Sequence, residues 1–415
     1  MTSRSVWRTC WVGVALMGLW PVISAASELR LSEALSLAAT QHPSVKAKQA
    51  DLQAALGDLE TAKWSRYPTV STEATASSGR PQGALLVQQP LWAGGKIDAQ
   101  NRLAQAQLTL AEAGLQETRI NLMQQTGQQF FEVLRLRQRL DIARKTENEH
   151  RKLFELIQRR VVAEISPLTD QVLATARLQQ SVAERIQFSR SMQTAELALQ
   201  QLVGEARSSL KPPSSLGLKM TDEATAIEVS KASSAELLRL RTQQAVSQAQ
   251  IEMAEAALYP TLALAHRRIL GANDSGSDAN RTYLSLQFSP GPGLSVKSVA
   301  AAARARLETS VQNASVYERQ LEQQVRTALA DLAALAEQVE PARQLVSATD
   351  DVVASYLRQY QIGKKNWLDV LNALRESAQA TYSAVDVASS TESLQLRLML
   401  LTGQINNQQL SQIHD

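Results

Sequence analysis

A proline-bounded run of strand-like residues occurs twice in the sequence. The first copy runs from Tyr67-Pro68-Thr69 to Gln89-Pro90-Leu91, and the second from Tyr259-Pro260-Thr261 to Ser289-Pro290-Gly291. Each is preceded by an Ala-rich helical pattern and followed by a much longer one. The order is therefore helix, two strands, long helix pair, and then the same again. Length alone would suggest two or three ordinary domains for 415 residues, but a duplication of this kind favours one pseudo-symmetric unit.

Composition agrees with long helices. Aromatic residues are 4% of the chain and hydrophobic residues 44%, with Ala, Leu and Gln prominent. Small side chains let helices pack closely, whereas a large aromatic core is not available. Residues 1–26 read as a secretory signal: Arg4 and Arg8, a short apolar run from Trp11 to Trp20, and the small-residue site Ser24-Ala25-Ala26. That run is shorter than the ~20 residues a spanning helix needs. The formal charge is +3, from 43 basic and 40 acidic residues. Without Arg4 and Arg8 it would be +1, which gives no basis for nucleic-acid binding. Cys10 is the single cysteine and precedes the apolar run, so a mature chain would have neither disulfide nor cysteine-ligated metal. The histidines, at 42, 150, 266 and 414, lack ligand spacing, and there is no nucleophile motif or phosphate loop. We expect no enzyme, no cofactor and no metal site.

The first repeat spans 27–204. Helix is expected over Leu29 to Arg66, broken at His42-Pro43, with Ser32 as a candidate cap. From Thr69 to Trp92 the period becomes two: Val70, Thr72, Ala74 and Ala76 alternate with polar neighbours, and Ser78 to Gly83 is a turn. Taken alone, this reads equally as a solvated hairpin or as barrel strands. Helices follow at about Ile97–Val162 and Leu168–Val203, with Ser166 as a candidate cap and Pro167 at a first helical position. Residues 205–230 form a connector. The second repeat, 231–404, has strands at about Thr261–Leu270 and Thr282–Ser289 around a solvated loop. A tail of 405–415 closes the chain.

The clearest periodicity lies in the run Val296 to Ile362. Val325, Leu332, Val339, Val346, Val353 and Tyr360 are spaced by sevens, and Ala328, Leu335, Ala342, Thr349 and Tyr356 follow three residues later. This is a coiled-coil seam with small residues at many second positions, roughly 100 Å long if unbroken. Pro341 is expected to kink or interrupt it. Trp367 to Leu401 forms the last helix.

In this order and duplicated, four motifs resemble the TolC-like outer membrane factor family over nearly the whole mature length. They are Leu31-Ser32-Glu33-Ala34-Leu35 with His42-Pro43-Ser44-Val45; Ala62 to Thr69; Gln89 to Lys96; and the paired turns Ser166-Pro167-Leu168-Thr169-Asp170 and Asn366-Trp367-Leu368-Asp369-Val370-Leu371. The resemblance implies a mainly α protein with a β-barrel part. Three copies would form one channel, each giving four strands to a shared barrel in outer membrane lipid. Their helices would continue as a tunnel across the periplasm. Pro68, Pro90, Pro260 and Pro290 would mark strand–helix transitions. Two hairpins alone cannot close a barrel, which fits a homotrimer.

The resemblance also places a periplasmic entrance at the two turns. Asp369 resembles a carboxylate ring facing the pore, with Asn372 where the family often has a second acid. Asp170, beside Thr169, resembles a carboxylate that ties neighbouring helices shut, with Tyr360 and Lys365 as its hydroxyl and cationic partners. A repeated carboxylate ring would favour cations. Both aspartates could instead, or also, serve as helix caps. The adaptor-docking turns would be Ala163-Glu164-Ile165, which lacks the family's usual glycine, and Ile362-Gly363-Lys364, which keeps it. The implied partners are a periplasmic adaptor (membrane fusion) protein and an inner-membrane ABC or proton-driven pump. The run Glu149 to Val161 resembles most the branch that exports large adhesins by type I secretion; small-molecule efflux is the alternative. A periplasmic coiled-coil adaptor is a third reading, but it would carry one helical hairpin where this chain has two.

Overall fold

The computed structural model describes residues 28–77, 80–204, 209–219, 222–270, 280–289, 291–405 and 413–414. The expected signal at 1–26, the loop from Gly271 to Ala279 and Pro290 lie outside them. Eight α-helices, one short 3-10 helix (Pro292–Leu294) and six strands appear in the described residues. The first repeat is α1 (Leu31–Gln41), α2 (Pro43–Trp64), β1 (Thr69–Ser77), β2 (Arg80–Trp92), α3 (Lys96–Val162) and α4 (Leu168–Val203). A two-residue β3 (Ser215–Leu216) follows. The second repeat is α5 (Glu223–Ser233), α6 (Ala235–Ala256), β4 (Thr261–Leu270), β5 (Asn280–Gln287), α7 (Val296–Gln361) and α8 (Trp367–Leu401), with β6 (Ile413–His414) after it.

The duplication is exact to within a residue in the helices. α1 and α5 have 11 residues each, α2 and α6 have 22 each, α3 and α7 have 67 and 66, and α4 and α8 have 36 and 35. Residue 230 lies inside α5, so the helical part of the second repeat starts earlier than the expected connector boundary. β3 pairs with β6 antiparallel, and Leu29 bridges to Leu210, so the connector is held between the two chain ends.

Local chemistry explains most of the boundaries. His42 caps α2, its Nδ1 accepting from the Ser44 amide at 3.2 Å, and Pro43 sits in the first turn where its missing N–H costs nothing. Gly95 and Gly204 adopt left-handed backbone at the start of α3 and the end of α4. Other expectations need correction. Arg30, not Ser32, is at the cap position of α1, which puts Ser32 in the first turn. Pro167 occupies the cap position of α4, so Ser166 precedes it and does not cap. α7 is helical through Pro341 without interruption. Proline removes one N–H there, but the carbonyl four residues earlier, on Glu337, lies on an exposed stretch where water can serve it.

The main core lies where α1, α3, α4 and α8 meet. Leu31, Leu35, Met123, Phe130, Phe131, Leu199, Leu396 and Met399 are buried together there, with the two phenyl rings edge to face at 5.9 Å. Losing either phenylalanine would cost roughly 3–5 kcal/mol. α5 covers α7 in the same manner through Ala226, Ile227, Leu321 and Val325. The middle of the predicted seam behaves differently. Val325 and Leu332 are buried, but Leu335, Val339, Val346, Thr349 and Val353 are only half-buried within the chain.

The strands form one antiparallel sheet in the order β1-β2-β4-β5, with β2–β4 joining the two repeats. β1 and β5 are its outer strands, and each has one edge unpaired within the chain. Pro68 and Pro260 immediately precede β1 and β4. Pro90 lies inside β2, where the pairing with β4 shifts register between Pro90 and Trp92, a position that tolerates a missing donor.

Candidate functional site

The two long hairpins end in turns of matching geometry. After α3, the Glu164 amide donates to Val161 O at 3.0 Å and the Ile165 amide to Arg160 O at 2.8 Å. After α7, Gly363 donates to Tyr360 O at 3.0 Å and Lys364 to Gln359 O at 2.9 Å. Both are left-handed helix ends that reuse the last free carbonyls. Gly363 has φ 76°, and Glu164 has φ 58°. The first turn therefore keeps its shape without the glycine, at the cost of a side chain in a disfavoured region. The turns present a cluster of apolar groups to solvent: Val162, Ile165, Leu168 and Ile362 are all at least 65% exposed.

Behind the turns the two hairpins share one core. Leu153 and Ile157 of α3, Ala174 of α4, Tyr360 of α7, and Trp367, Val370, Leu371 and Leu374 of α8 pack together. Arg160 lies over the Tyr360 ring at 5.0 Å. Asn366 caps α8: its side chain accepts from the Leu368 amide, and Asp369 accepts in return from the Asn366 amide at 3.4 Å. Lys365 Nζ is 3.6 Å from the Asp369 carboxylate and 4.3 Å from the centre of the Tyr356 ring.

Within one chain, then, Lys365 partners Asp369, not Asp170. Asp170 stands in the first turn of α4, its amide bonded to Pro167 O, with no cation at ion-pair distance among the described residues. The Tyr360 hydroxyl is buried and finds no hydrogen-bond partner among the described residues. Ala174, one turn on from Asp170, shares the Tyr360 core, but Asp170 and Tyr360 make no hydrogen bond. Thr169 and Asn372 are exposed.

Further along the helices the packing is polar. Glu147 of α3, 9% exposed, lies between Arg185 of α4 at 2.5 Å and Arg151 at 2.6 Å. The hydrogen bond from Arg185 is the main reason its carboxyl is held below the usual range. Arg135 bonds Glu132 at 2.6 Å and Asp386 of α8 at 3.0 Å. Arg139, 3.3 Å from Asp386, lies 5.1 Å from both the Phe188 and Tyr382 rings. Sequence reasoning missed this strip. Its only trace is a pair of arginines one turn apart among the buried Leu134, Leu136 and Leu140.

The sheet has two chemically distinct faces. Cross-strand partners place Val70, Leu85, Val87, Leu264, Leu284 and Leu286 on one face, and Ser71, Glu73, Gln88, Arg267, Arg281, Ser285 and Gln287 on the other. Many of the apolar side chains are bare: Val70, Leu284 and Leu286 are 64–69% exposed. Gln89, Arg268 and the pair His266 and Thr282, bonded to each other at 2.8 Å, interrupt the apolar face, and Leu86 and Ile269 lie on the polar one. Trp64, Tyr67, Trp92 and Tyr259 gather exposed at the helix end of the sheet, with Trp64–Tyr67 centroids 5.0 Å apart and Trp92–Tyr259 6.4 Å apart. Apolar strands bordered by an aromatic girdle are the pattern of a sheet that faces lipid. No helix among the described residues is long and apolar enough to cross a membrane.

Comparison with known proteins gives a consistent picture. The profile of the family described as "Outer membrane efflux protein" matches residues 34–205 and 226–404. The chain is 31% identical over 199 residues to the cobalt-zinc-cadmium resistance protein CzcC of Cupriavidus metallidurans, a match that spans 47% of this chain and 46% of that protein. Among solved structures, the outer membrane protein VceC of Vibrio cholerae superposes with TM-score 0.76 at 21% identity, over 90% of this chain and 96% of that one. The CmeC outer membrane channel of Campylobacter jejuni gives TM-score 0.79 at 13% identity, over 92% and 89%.

Proposed function

This chain belongs to the outer membrane efflux protein family, and from that premise we propose that it is the outer membrane channel-tunnel of a tripartite export system, built from three copies. The observation that carries this reading is the sheet: four antiparallel strands with one bare apolar face, one polar face and two open edges. Such a sheet is unstable alone in lipid or in water. Repeated around an axis, β5 of one copy pairs with β1 of the next, the apolar face meets lipid and the polar face lines a lumen. The half-buried seam of α7 is then completed by a neighbouring copy.

The turns are the periplasmic entrance. Asp369, fixed by its cap and by Lys365, faces the axis and favours cations, with Asn372 one turn further along. The carboxylate of Asp170 meets a neighbouring copy and holds the entrance closed, while Tyr360 stays in its own chain's core behind the turns. The exposed apolar turn residues take the tip of a periplasmic adaptor, which links the tunnel to an inner-membrane pump.

For cargo, the resemblance over part of the chain to a cobalt-zinc-cadmium resistance protein favours small solutes over adhesins, and divalent metal cations are the first class to test. The adhesin reading rests on the run Glu149 to Val161 alone. A strain lacking the protein separates the two. Sensitivity to cobalt, zinc or cadmium, restored by the gene, supports efflux; loss of a large surface protein with unchanged metal tolerance supports type I secretion. The pore itself is tested by planar-bilayer conductance. Small cation-selective openings, widened by Asp170→Ala and less selective in Asp369→Ala, are expected. Absence of conductance from a verified inserted trimer overturns the reading.

A further inference from the structure

A partly open cavity of about 80 Å3 lies between α3, α4 and α8, above the entrance turns. A buried water needs on the order of 10–15 Å3 of such space, so the cavity holds several waters or one small polyatomic ion. His150 of α3, Arg177 and Glu184 of α4, and Arg375 and Tyr382 of α8 line it. Two polar atoms there are buried without a well-formed hydrogen bond among the described residues: the hydroxyl of Tyr382, a residue only 3% exposed that stands beside the Glu184 carboxylate, and Nδ1 of His150. Orphaned buried groups of this kind each cost free energy and call for a ligand.

The wall is rich in donors. Arg177 donates to Gln180 Oε1 at 3.0 Å, and neither it nor Arg375 forms an ion pair among the described residues. This differs from the neighbouring arginines 135, 139, 151 and 185, each held by a carboxylate. Two guanidinium charges against the single carboxylate of Glu184 leave the cavity net positive. Burial, followed by the nearby Arg177 charge, pushes the His150 imidazole below its usual range, so at neutral pH it is uncharged and has one N–H to donate. A guest that only accepts hydrogen bonds, carries negative charge and is small satisfies these groups together.

We propose that this cavity is a binding site for a small tetrahedral oxyanion of the phosphate or sulfate class. Arg177 and Arg375 provide the charge, the latter reaching in from an exposed position, and Tyr382 and His150 donate from the buried side. Because the ligands come from both hairpins, the bound anion cross-links α4 to α8 and opposes their separation. The site stands whether or not the chain forms a pore.

The test is thermal unfolding of the purified full-length protein in sodium phosphate, against sodium chloride at equal ionic strength, together with 31P line broadening of inorganic phosphate. Phosphate should raise the unfolding temperature of the wild type, and sulfate should compete in the 31P experiment while chloride does not. Arg177→Gln with Arg375→Gln should weaken phosphate binding at least tenfold, whereas Arg144→Gln, on the exposed surface, should leave it unchanged. If the double variant does not fold, the wild-type competition alone decides. No 31P broadening, broadening relieved equally by chloride, or binding unchanged in the double variant overturns the proposal and leaves a cavity filled by water.

Discussion

The guanidinium of Arg160, at the end of α3, lies 5.0 Å from the centre of the Tyr360 ring, at the end of α7. This contact ties the two hairpins together at their turns, beside the exposed apolar groups Val162, Ile165, Leu168 and Ile362. A stacked pair of this kind is worth about 0.5–1 kcal/mol at a partly exposed site. Arg160→Gln should therefore leave global unfolding nearly unchanged while speeding amide exchange over residues 356–361. Unaltered exchange there would show that the Tyr360 core holds the turn without Arg160.

Gly363 and Glu164 occupy equivalent left-handed positions and make opposite predictions. Gly363→Ala should destabilise the second turn by about 1 kcal/mol, because a Cβ is disfavoured at positive φ. Glu164→Gly relieves the same strain in the first turn, partly offset by the flexibility glycine adds to the unfolded chain. It should be neutral or stabilising. Thermal unfolding of the two variants checks the order, and a larger loss for Glu164→Gly would contradict it.

Glu147, between Arg185 and Arg151, links α3 to α4 and gives a pH prediction. Its folded value is lowered from the usual 4.5, so the folded state holds fewer protons than the unfolded state over that interval. The contribution is complete above about pH 4.5 and fades as pH falls through the lower folded value. Glu147→Gln should cost roughly 1–3 kcal/mol at neutral pH, with the difference from wild type shrinking under acid. A gap that is constant with pH would remove Glu147 from the account.

Arg267 and Arg281 are direct cross-strand partners on the polar face of the sheet, near its end away from the helices. Like charges so placed repel by about 0.2–1 kcal/mol. Arg281→Glu should relieve this and move the reversal potential of the reconstituted channel toward cations, with the Asp369 entrance intact. An unchanged reversal potential would mean that this end of the lumen does not govern selectivity.

Gly127 lets α3 approach α8 closely. A Cβ there would fall 2.2 Å from Leu396 Cδ2, and Leu396 is locked in the main core. Gly127→Ala should cost roughly 1–3 kcal/mol by overpacking, measured by denaturant unfolding. Recovery in Gly127→Ala combined with Leu396→Ala would assign the loss to this contact.

The sequence by itself determined the order of elements, the internal duplication and the two faces of the sheet. These follow from local periodicity, which a chain carries whatever it packs against: a period of two in Val70 to Ala76, sevens in Val325 to Tyr360, and prolines at 43, 68 and 260 that stop one pattern and start the next. The tertiary structure alone decided what meets across helices far apart in sequence. Ser32 and Ser166 looked like caps but missed by one or two residues: Arg30 and Pro167 hold the cap positions of α1 and α4. Lys365 chose Asp369 over Asp170, since the Asn366 cap brings that carboxylate within reach on the same helix. Pro341 left α7 whole because its unserved carbonyl faces solvent. The strip from Arg135 to Tyr382 left only two arginines one turn apart as a trace in the chain, and the cavity beside it left none. Arg177 and Arg375 are 198 positions apart, and only the packing of α4 against α8 makes them neighbours.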